Sequence, residues 1–369
     1  MSNWNTAENI LCVRLDTIGD VLMTTPAIRA LKESLPGRRI TLLTSTIGAQ
    51  VAALVPEIDE VIAYDSPWMN ATAPRTSPEP DLAMIELLRE RQFEGAVIFT
   101  VFSQNPLPSA ILCYLAGIPL RLARCRENPY QLLTDWIAET EPEQALRHEV
   151  QRQLDLVGTI GCITNDEHLS LRVSELADHA ALDVLQRSGV DVHQPWLVVH
   201  PGASAASRRY PPELYAQVVG ELVLTRGFQV VFTGKESERE LVETIQREAR
   251  VKTYSLVGTL SLEELAAVIE LAPLLITNNT GPAHIAAAVG TPVVVLYALT
   301  NPQHTTWKVQ HRVLYHDVPC KFCFKSICPQ GHHNCLRLVS PQWVVQAVNQ
   351  LYQPELALEL PKMISVASG

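Results

Sequence analysis

The sequence predicts an α/β protein made of two Rossmann-like, doubly wound domains. Three observations predict it. Short apolar, β-prone runs alternate with longer helical patterns along most of the chain. The alternation restarts near residue 190, after Arg187-Ser188-Gly189. The 369 residues also exceed what one core ordinarily serves, since single cores rarely grow past about 250 residues. These place the domains at 1–185 and 186–369, with a final helix expected to pack back on the N-terminal domain.

The first unit opens with a strand over Ile10–Leu15, the glycine loop Asp16-Thr17-Ile18-Gly19, and a helix from Asp20 to Leu35 that Pro36-Gly37 stops. Strands follow at Ile40–Thr44, Val61–Tyr64 and Ala96–Val101, with helices around Ala49 and over Asp81–Arg91 between them. Pro67, Pro74, Pro78 and Pro80 make the stretch from Ser66 to Pro80 an exposed loop, suited to flank an acceptor. In the second half the expected strands are Trp196–His200, Phe228–Thr233, Leu274–Thr277 and Pro292–Tyr297. The helices are Pro212–Thr225, Glu236–Glu248, Ser261–Glu270 and Gly281–Val289. Ser261 with Glu264 three residues on has the form of a capping box. The halves are not sequence copies of each other.

Composition narrows the partners. An apolar share of 47% and a charged share of 18% describe a well-packed globule. A formal net charge of −10 argues against nucleic acid, whose phosphates need a basic face. Basic residues do cluster at Arg29, Lys32, Arg38 and Arg39, and at Arg121, Arg124 and Arg126. Each cluster is either an ordinary solvated face or a contact for anionic lipid. The start, MSNWNTAENI, lacks the form of a signal peptide, and Gly290-Thr291-Pro292 breaks the longest apolar run, Ile285–Leu299; a cytoplasmic protein is expected.

In open α/β sheets ligands bind beyond the carboxyl ends of the strands. Four such loops carry unusual chemistry. Asp20 follows the first glycine turn, either as a helix cap or as a functional acid. His200 to Pro211 offers small residues, Ser204, and the guanidiniums of Arg208 and Arg209, suited to phosphate or simply solvated. Thr233-Gly234-Lys235-Glu236 places a carboxylate where ribose could bind, a weak signal alone. Asn279, Thr280, Gly281 and His284 sit where a helix start makes an anion site, though His284 is equally suited to the core. Neither G-x-G-x-x-G after a first strand nor a P-loop is present, so a dehydrogenase and a P-loop nucleotidase lack their fingerprints.

The stretch Arg14-Leu15-Asp16-Thr17-Ile18-Gly19-Asp20-Val21-Leu22-Met23-Thr24-Thr25-Pro26-Ala27, with His200-Pro201-Gly202-Ala203-Ser204 and Asn279-Thr280-Gly281-Pro282-Ala283-His284, resembles the ADP-heptose:lipopolysaccharide heptosyltransferases of glycosyltransferase family 9. The resemblance runs from about residue 10 to residue 350. It implies a GT-B fold, two Rossmann-like domains facing a central cleft, and inverting, metal-independent transfer from ADP-heptose or a related donor. The acceptor would be a lipid-linked core sugar at the cytoplasmic face of the inner membrane, with peripheral membrane contact. Carried onto this chain, Asp20 is the general base and Arg208 neutralises the departing diphosphate. Ser204, Glu236, Asn279, Thr280, Gly281 and His284 hold the donor, and no cofactor is needed for catalysis. Asn279 departs from the family, which has Asp there.

Cys320-x2-Cys323-x4-Cys328-x6-Cys335, with His332 and His333 inside, has the form of a structural zinc site, with an iron–sulfur cluster, free thiols or a disulfide as alternatives. Cys12, Cys113, Cys125 and Cys162 sit in apolar contexts and read as packing residues. Two other functions stay open at this point. One is a nucleotide-sugar epimerase on a similar scaffold; the other is a non-catalytic nucleotide-sugar-binding protein, for which Asn279 is the hint.

Overall fold

The computed structural model describes residues 3–69, 73–144 and 146–352. The chain forms two compact units that divide between Arg172 and Val173. The division falls earlier than the expected 185/186 because the helix Glu175–Arg187 packs against the helix Leu262–Leu271 of the second unit.

The first unit contains β1 (Asn9–Arg14), α1 (Ile18–Glu33), β2 (Arg39–Thr44), α2 (Thr46–Ala52), β3 (Glu60–Ala63), α3 (Glu79–Glu90), β4 (Gly95–Ile98), α4 (Leu107–Leu115), β5 (Leu120–Cys125), β6 (Asp135–Ala138) and α5 (Glu149–Gly158). Its six strands are parallel in the order β3-β2-β1-β4-β5-β6. β1 reads Asn-Ile-Leu-Cys-Val-Arg and is buried from Ile10 to Arg14, as a central parallel strand covered on both faces must be. The order reverses between β1 and β4, so the loops that leave these two strands border the unit's natural binding crevice.

α1 starts with a capping box in which the Asp20 side chain bonds back to Thr17. Pro26 lies inside this helix and offers no N–H to the carbonyl of Leu22. The Thr25 hydroxyl takes over that acceptor, donating to Leu22 O at 2.7 Å, and itself accepts from Ser170 N at 2.8 Å. The helix therefore continues through the proline with its backbone satisfied.

Most residues of the basic clusters are committed to structural contacts. Arg38 is 1% exposed, and its guanidinium donates to the carbonyls of Ala7, Leu31 and Trp4 and to Ser34 Oγ. Arg29 pairs with Glu57 and Lys32 with Asp59. Arg121 is likewise buried, donating to the carbonyls of Leu132 and Gln131. The expected lipid contact through Arg38 is thus corrected: a guanidinium consumed by backbone carbonyls cannot reach a membrane surface. No helix among the described residues is long and apolar enough to cross a bilayer.

The second unit contains α6 (Glu175–Arg187), β7 (Trp196–His200), α7 (Pro212–Arg226), β8 (Gln229–Phe232), α8 (Arg239–Ala249), β9 (Tyr254–Ser255), α9 (Leu262–Leu271), β10 (Leu275–Asn278), α10 (Gly281–Val289), β11 (Val293–Leu296), β12 (His311–Leu314), α11 (Asn334–Arg337) and α12 (Pro341–Leu351). Its parallel sheet runs β12-β11-β10-β7-β8-β9. Counted from its own first strand, this is the strand order of the first unit, with the reversal between β7 and β10. The core between β7, β8, β10 and β11 and the helices α7, α8 and α12 is apolar throughout, from Leu197 and Val230 to Val344 and Leu351. α12 packs on α7, β11 and β12. Any return of a final helix beyond it to the first unit falls on residues 353–369, outside those described.

Candidate active site

In the first unit the chemistry gathers around Arg14, the last residue of β1, which is wholly buried. Its Nε lies 2.9 Å from Asp16 Oδ2, its Nη1 2.9 Å from Glu149 Oε1 and its Nη2 3.3 Å from Asp20 Oδ1. One guanidinium thus faces three carboxylates. Burial alone would lower the Arg14 pKa, but Asp16, Glu149 and Asp20 more than offset it and hold the guanidinium charged. Glu149 is buried as well and accepts from Gln153 Nε2 at 2.7 Å.

Asp20 keeps a fifth of its side chain open, at 21% exposure. Its Oδ2 accepts from Thr17 N at 3.2 Å and from Thr17 Oγ1 at 2.9 Å. It is both the cap that the helix start suggests and a carboxylate facing solvent at the β1 loop. Asp16 is the acid that sequence reasoning passed over as part of a turn. Burial pushes its carboxyl up to about 6, the neighbouring Asp20 and Glu149 charges add to this, and Arg14 and the Gln104 amide oppose it. Gln104, on the loop after β4, donates to Asp16 Oδ1 at 2.5 Å and so joins the two loops that flank the strand reversal.

In the second unit the β7 and β10 loops are clamped together by Asn278, which is fully buried. Its Nδ2 donates to Pro201 O at 2.7 Å, while its Oδ1 accepts from Tyr210 N at 3.1 Å and Tyr215 Oη at 3.2 Å. The predicted donor loops therefore share one edge of the sheet. Arg209 holds the first of them from within, donating to Ala203 O at 2.8 Å. Arg208 is half-buried, and its charge acts on the Tyr297 phenol. Asn279 reaches the same neighbourhood, donating from Nδ2 to Thr300 Oγ1 at 2.8 Å and Ala298 O at 3.2 Å, with Tyr297 Oη 3.1 Å from the same Thr300 oxygen. Thr280 stands at the N-cap position of α10 without a side-chain capping bond, Gly281 begins the helix, and His284 is buried one turn in. Ser204 is exposed on the β7 loop.

Glu236 is 68% exposed and bonded to Arg239 at 2.7 and 2.6 Å, which lowers its pKa. The carboxylate that turns toward the β7 loop is Glu238. It bonds Lys235 N at 2.8 Å and fills the space beside Gly202, where a Cβ would meet Glu238 Oε1 at 1.9 Å. Glycine is required at position 202 for that close approach. His200 Nε2 lies 3.9 Å from Glu238, and burial holds this imidazole neutral, near 4.

The zinc site expected of the Cys320–Cys335 segment has no support in the geometry of the described residues. Cys320 Sγ lies 3.8 Å from His332 Nε2, His333 N donates to Cys328 Sγ at 3.4 Å, and Cys328, Cys323 and Cys320 are all near enough to act on Cys335, whose pKa burial raises. No three His, Cys, Asp or Glu side chains among the described residues converge as metal ligands. The segment is held by other bonds. Ser326 O accepts from Ser207 N at 3.0 Å, and His333 Nε2 lies 2.7 Å from Ser207 O, so this loop braces the turn that carries Arg208. Cys12, Cys113, Cys125 and Cys162 are buried, as their contexts suggested.

The model of glycosyltransferase family 9 (heptosyltransferase) matches residues 82–333. The chain belongs to glycosyltransferase family 9. It is accordingly a glycosyltransferase, which sets aside the epimerase and the non-catalytic binder. Among relatives of the family 9 chain, lipopolysaccharide heptosyltransferase 2 of Escherichia coli K12 is 26% identical over 367 residues, covering 94% of this chain and 99% of that one. Two solved structures carry the same GT-B fold. The family 9 glycosyltransferase of Veillonella parvula superposes with a TM-score of 0.76 at 22% identity, covering 94% of this chain and 97% of that one. The ADP-heptose heptosyltransferase II of E. coli gives 0.72 at 23%, covering 94% and 99%. Arg208, Asn279 and His284 fall inside the family match; Asp20 lies before it.

Proposed function

We propose that this family 9 enzyme transfers a heptose from ADP-heptose to a sugar of the lipopolysaccharide core, inverting the anomeric centre, with Asp20 as base. The donor and acceptor follow from the similarity to the E. coli enzyme over nearly the whole of both chains. The observation that carries the mechanism is the partly exposed Asp20 carboxylate, held at the β1 loop by Thr17 and Arg14. An acceptor hydroxyl oxygen attacks the anomeric carbon, and its proton passes to Asp20. The bond from that carbon to the diphosphate breaks, and the electron pair leaves with ADP. Arg208 meets the charge that develops on the leaving phosphate, assisted by the start of α10 at Thr280 and Gly281. Ser204 would bond the phosphates, Glu236 the nucleoside, and Asn279 and His284 the sugar. The acceptor's lipid would lie at the cytoplasmic face of the inner membrane.

The test is transfer to a purified core acceptor by wild type and Asp20→Asn. The amide keeps a cap but cannot take a proton, so the rate should fall by about 10²–10⁴-fold with donor affinity retained. Transfer by Asp20→Asn at the wild-type rate would remove Asp20 from the chemistry.

A further inference from the structure

The carboxylate cluster at the end of β1 is tied to the first turn of α5. Glu149, the first residue of that helix, is buried, and its Oε1 accepts from Arg14 Nη1 at 2.9 Å and from Gln153 Nε2 at 2.7 Å. Gln153 Nε2 also donates to Thr100 O at 3.1 Å, and Arg152 Nε donates to the same carbonyl at 3.2 Å. Thr100 stands in the loop after β4, as does Gln104, whose amide returns to Asp16 Oδ1. A ring of contacts thus runs from Arg14 through Glu149, Gln153, Thr100 and Gln104 to Asp16, and from Asp16 back to Arg14. Glu149 Oε2 accepts no hydrogen bond among the described residues; Arg152 Nε lies 4.0 Å from it, and Arg152 is paired with Glu139.

A guanidinium is a rigid fork of donors, so tying one nitrogen sets the direction of the others. With Nη1 tied to Glu149, Nη2 faces Asp20 Oδ1 at 3.3 Å and Nε faces Asp16 Oδ2 at 2.9 Å. An uncompensated cation at that distance would weaken Asp20 as a base, and a buried carboxylate on another nitrogen of the same guanidinium offsets its charge. We propose that Glu149 is a positioning residue for glycosyl transfer, acting through Arg14 to aim the Asp20 carboxylate and to preserve its basicity. The inference rests on Asp20 as the base. Arg14 from β1 and Glu149 from α5 face Asp16 and Asp20, which also face each other, with Gln104 and Thr17 as neutral partners. The Glu149 charge already acts on Asp16, raising its pKa.

The test follows the single-turnover rate of transfer to a purified core acceptor against pH, by wild type, Glu149→Gln, Glu149→Asp and Asp20→Asn, with donor affinity read by calorimetry. Glu149→Gln keeps an oxygen for Arg14 and loses the charge. Its rate should fall about three- to tenfold with donor affinity unchanged. The acid limb of its profile should move to lower pH by about half a unit to one unit, because the carboxylates held by Arg14 lose a like-charged neighbour. Glu149→Asp restores the charge and should return the limb to its wild-type position. A folded Glu149→Gln with the wild-type rate and limb would overturn the inference, and so would a displaced limb that Glu149→Asp does not bring back. Should Glu149→Gln fail to fold, Gln153→Met decides the matter: it leaves the Glu149 charge but removes its 2.7 Å anchor, so the rate should fall about threefold with the limb in place. The wild-type rate in Gln153→Met would then overturn the inference. Asp20→Asn transferring at the wild-type rate would overturn the base assignment and the inference with it, whereas an inactive Asp20→Asn beside an unaffected Glu149→Gln would strike the inference alone.

Discussion

Asp16 ties the candidate site to pH. Its folded-state pKa, near 6, stands above the ordinary 3.8, so the native state holds the proton more tightly than the unfolded chain. The resulting stability is complete below about pH 4 and is lost as pH rises through 6, amounting to about 3 kcal/mol at most. Asp16→Asn cannot ionise and should remove this fall; urea denaturation of both proteins from pH 4 to 7 checks it, and parallel curves would refute the coupling. Arg14→Met should cost about 3–5 kcal/mol by the same measurement, because Asp16, Asp20 and Glu149 would be left facing one another. Asp20 was legible because a glycine turn at a strand end advertises its acid. The cluster around it was not, since Glu149 lies 135 residues from Arg14 and only the fold brings them together. Asn279 shows the limit of family analogy from the other side. Its amide donates to Ala298 O and Thr300 Oγ1, a bond to a carbonyl that a carboxylate cannot make.

Two elements depend on a pair of polar contacts each. In α1, Thr25→Val would leave Leu22 O and Ser170 N without partners, at a cost of about 1–3 kcal/mol. Adding Pro26→Ala restores an N–H for Leu22 O and should recover part of the loss; a double-mutant cycle with no coupling would contradict this account. The thiol-bearing loop is the second case. His333→Ala removes one of its two bonds to Ser207, so donor affinity should weaken severalfold while the melting temperature barely moves; unchanged affinity would mean that the loop does not brace Arg208. The strands that carry the site, β1, β7 and β10, were legible as continuous apolar runs bounded by glycine or polar loops. β6 and β12 escaped notice because these outermost strands are short and half-exposed, and β9 spans only Tyr254–Ser255, too little for any period to register.

At the scale of the molecule, two units with the same strand order carry unlike loops at their strand reversals. The carboxylate cluster belongs to one unit, and the Arg208 turn and α10 start to the other. The two units were legible in the alternation of elements and the roles given to each came from the family resemblance, whereas the basic residues were misleading at sequence level, since charge in a sequence does not say whether it faces water or a backbone carbonyl. The division also predicts that donor binding and proton abstraction separate by mutation. ADP-heptose titrated calorimetrically into wild type, Asp20→Ala and Arg208→Ala is the most direct test. The account predicts equal affinity for wild type and Asp20→Ala, and a loss of about tenfold or more for Arg208→Ala. Absence of ADP-heptose binding to wild type, or a loss confined to Asp20→Ala, would contradict it.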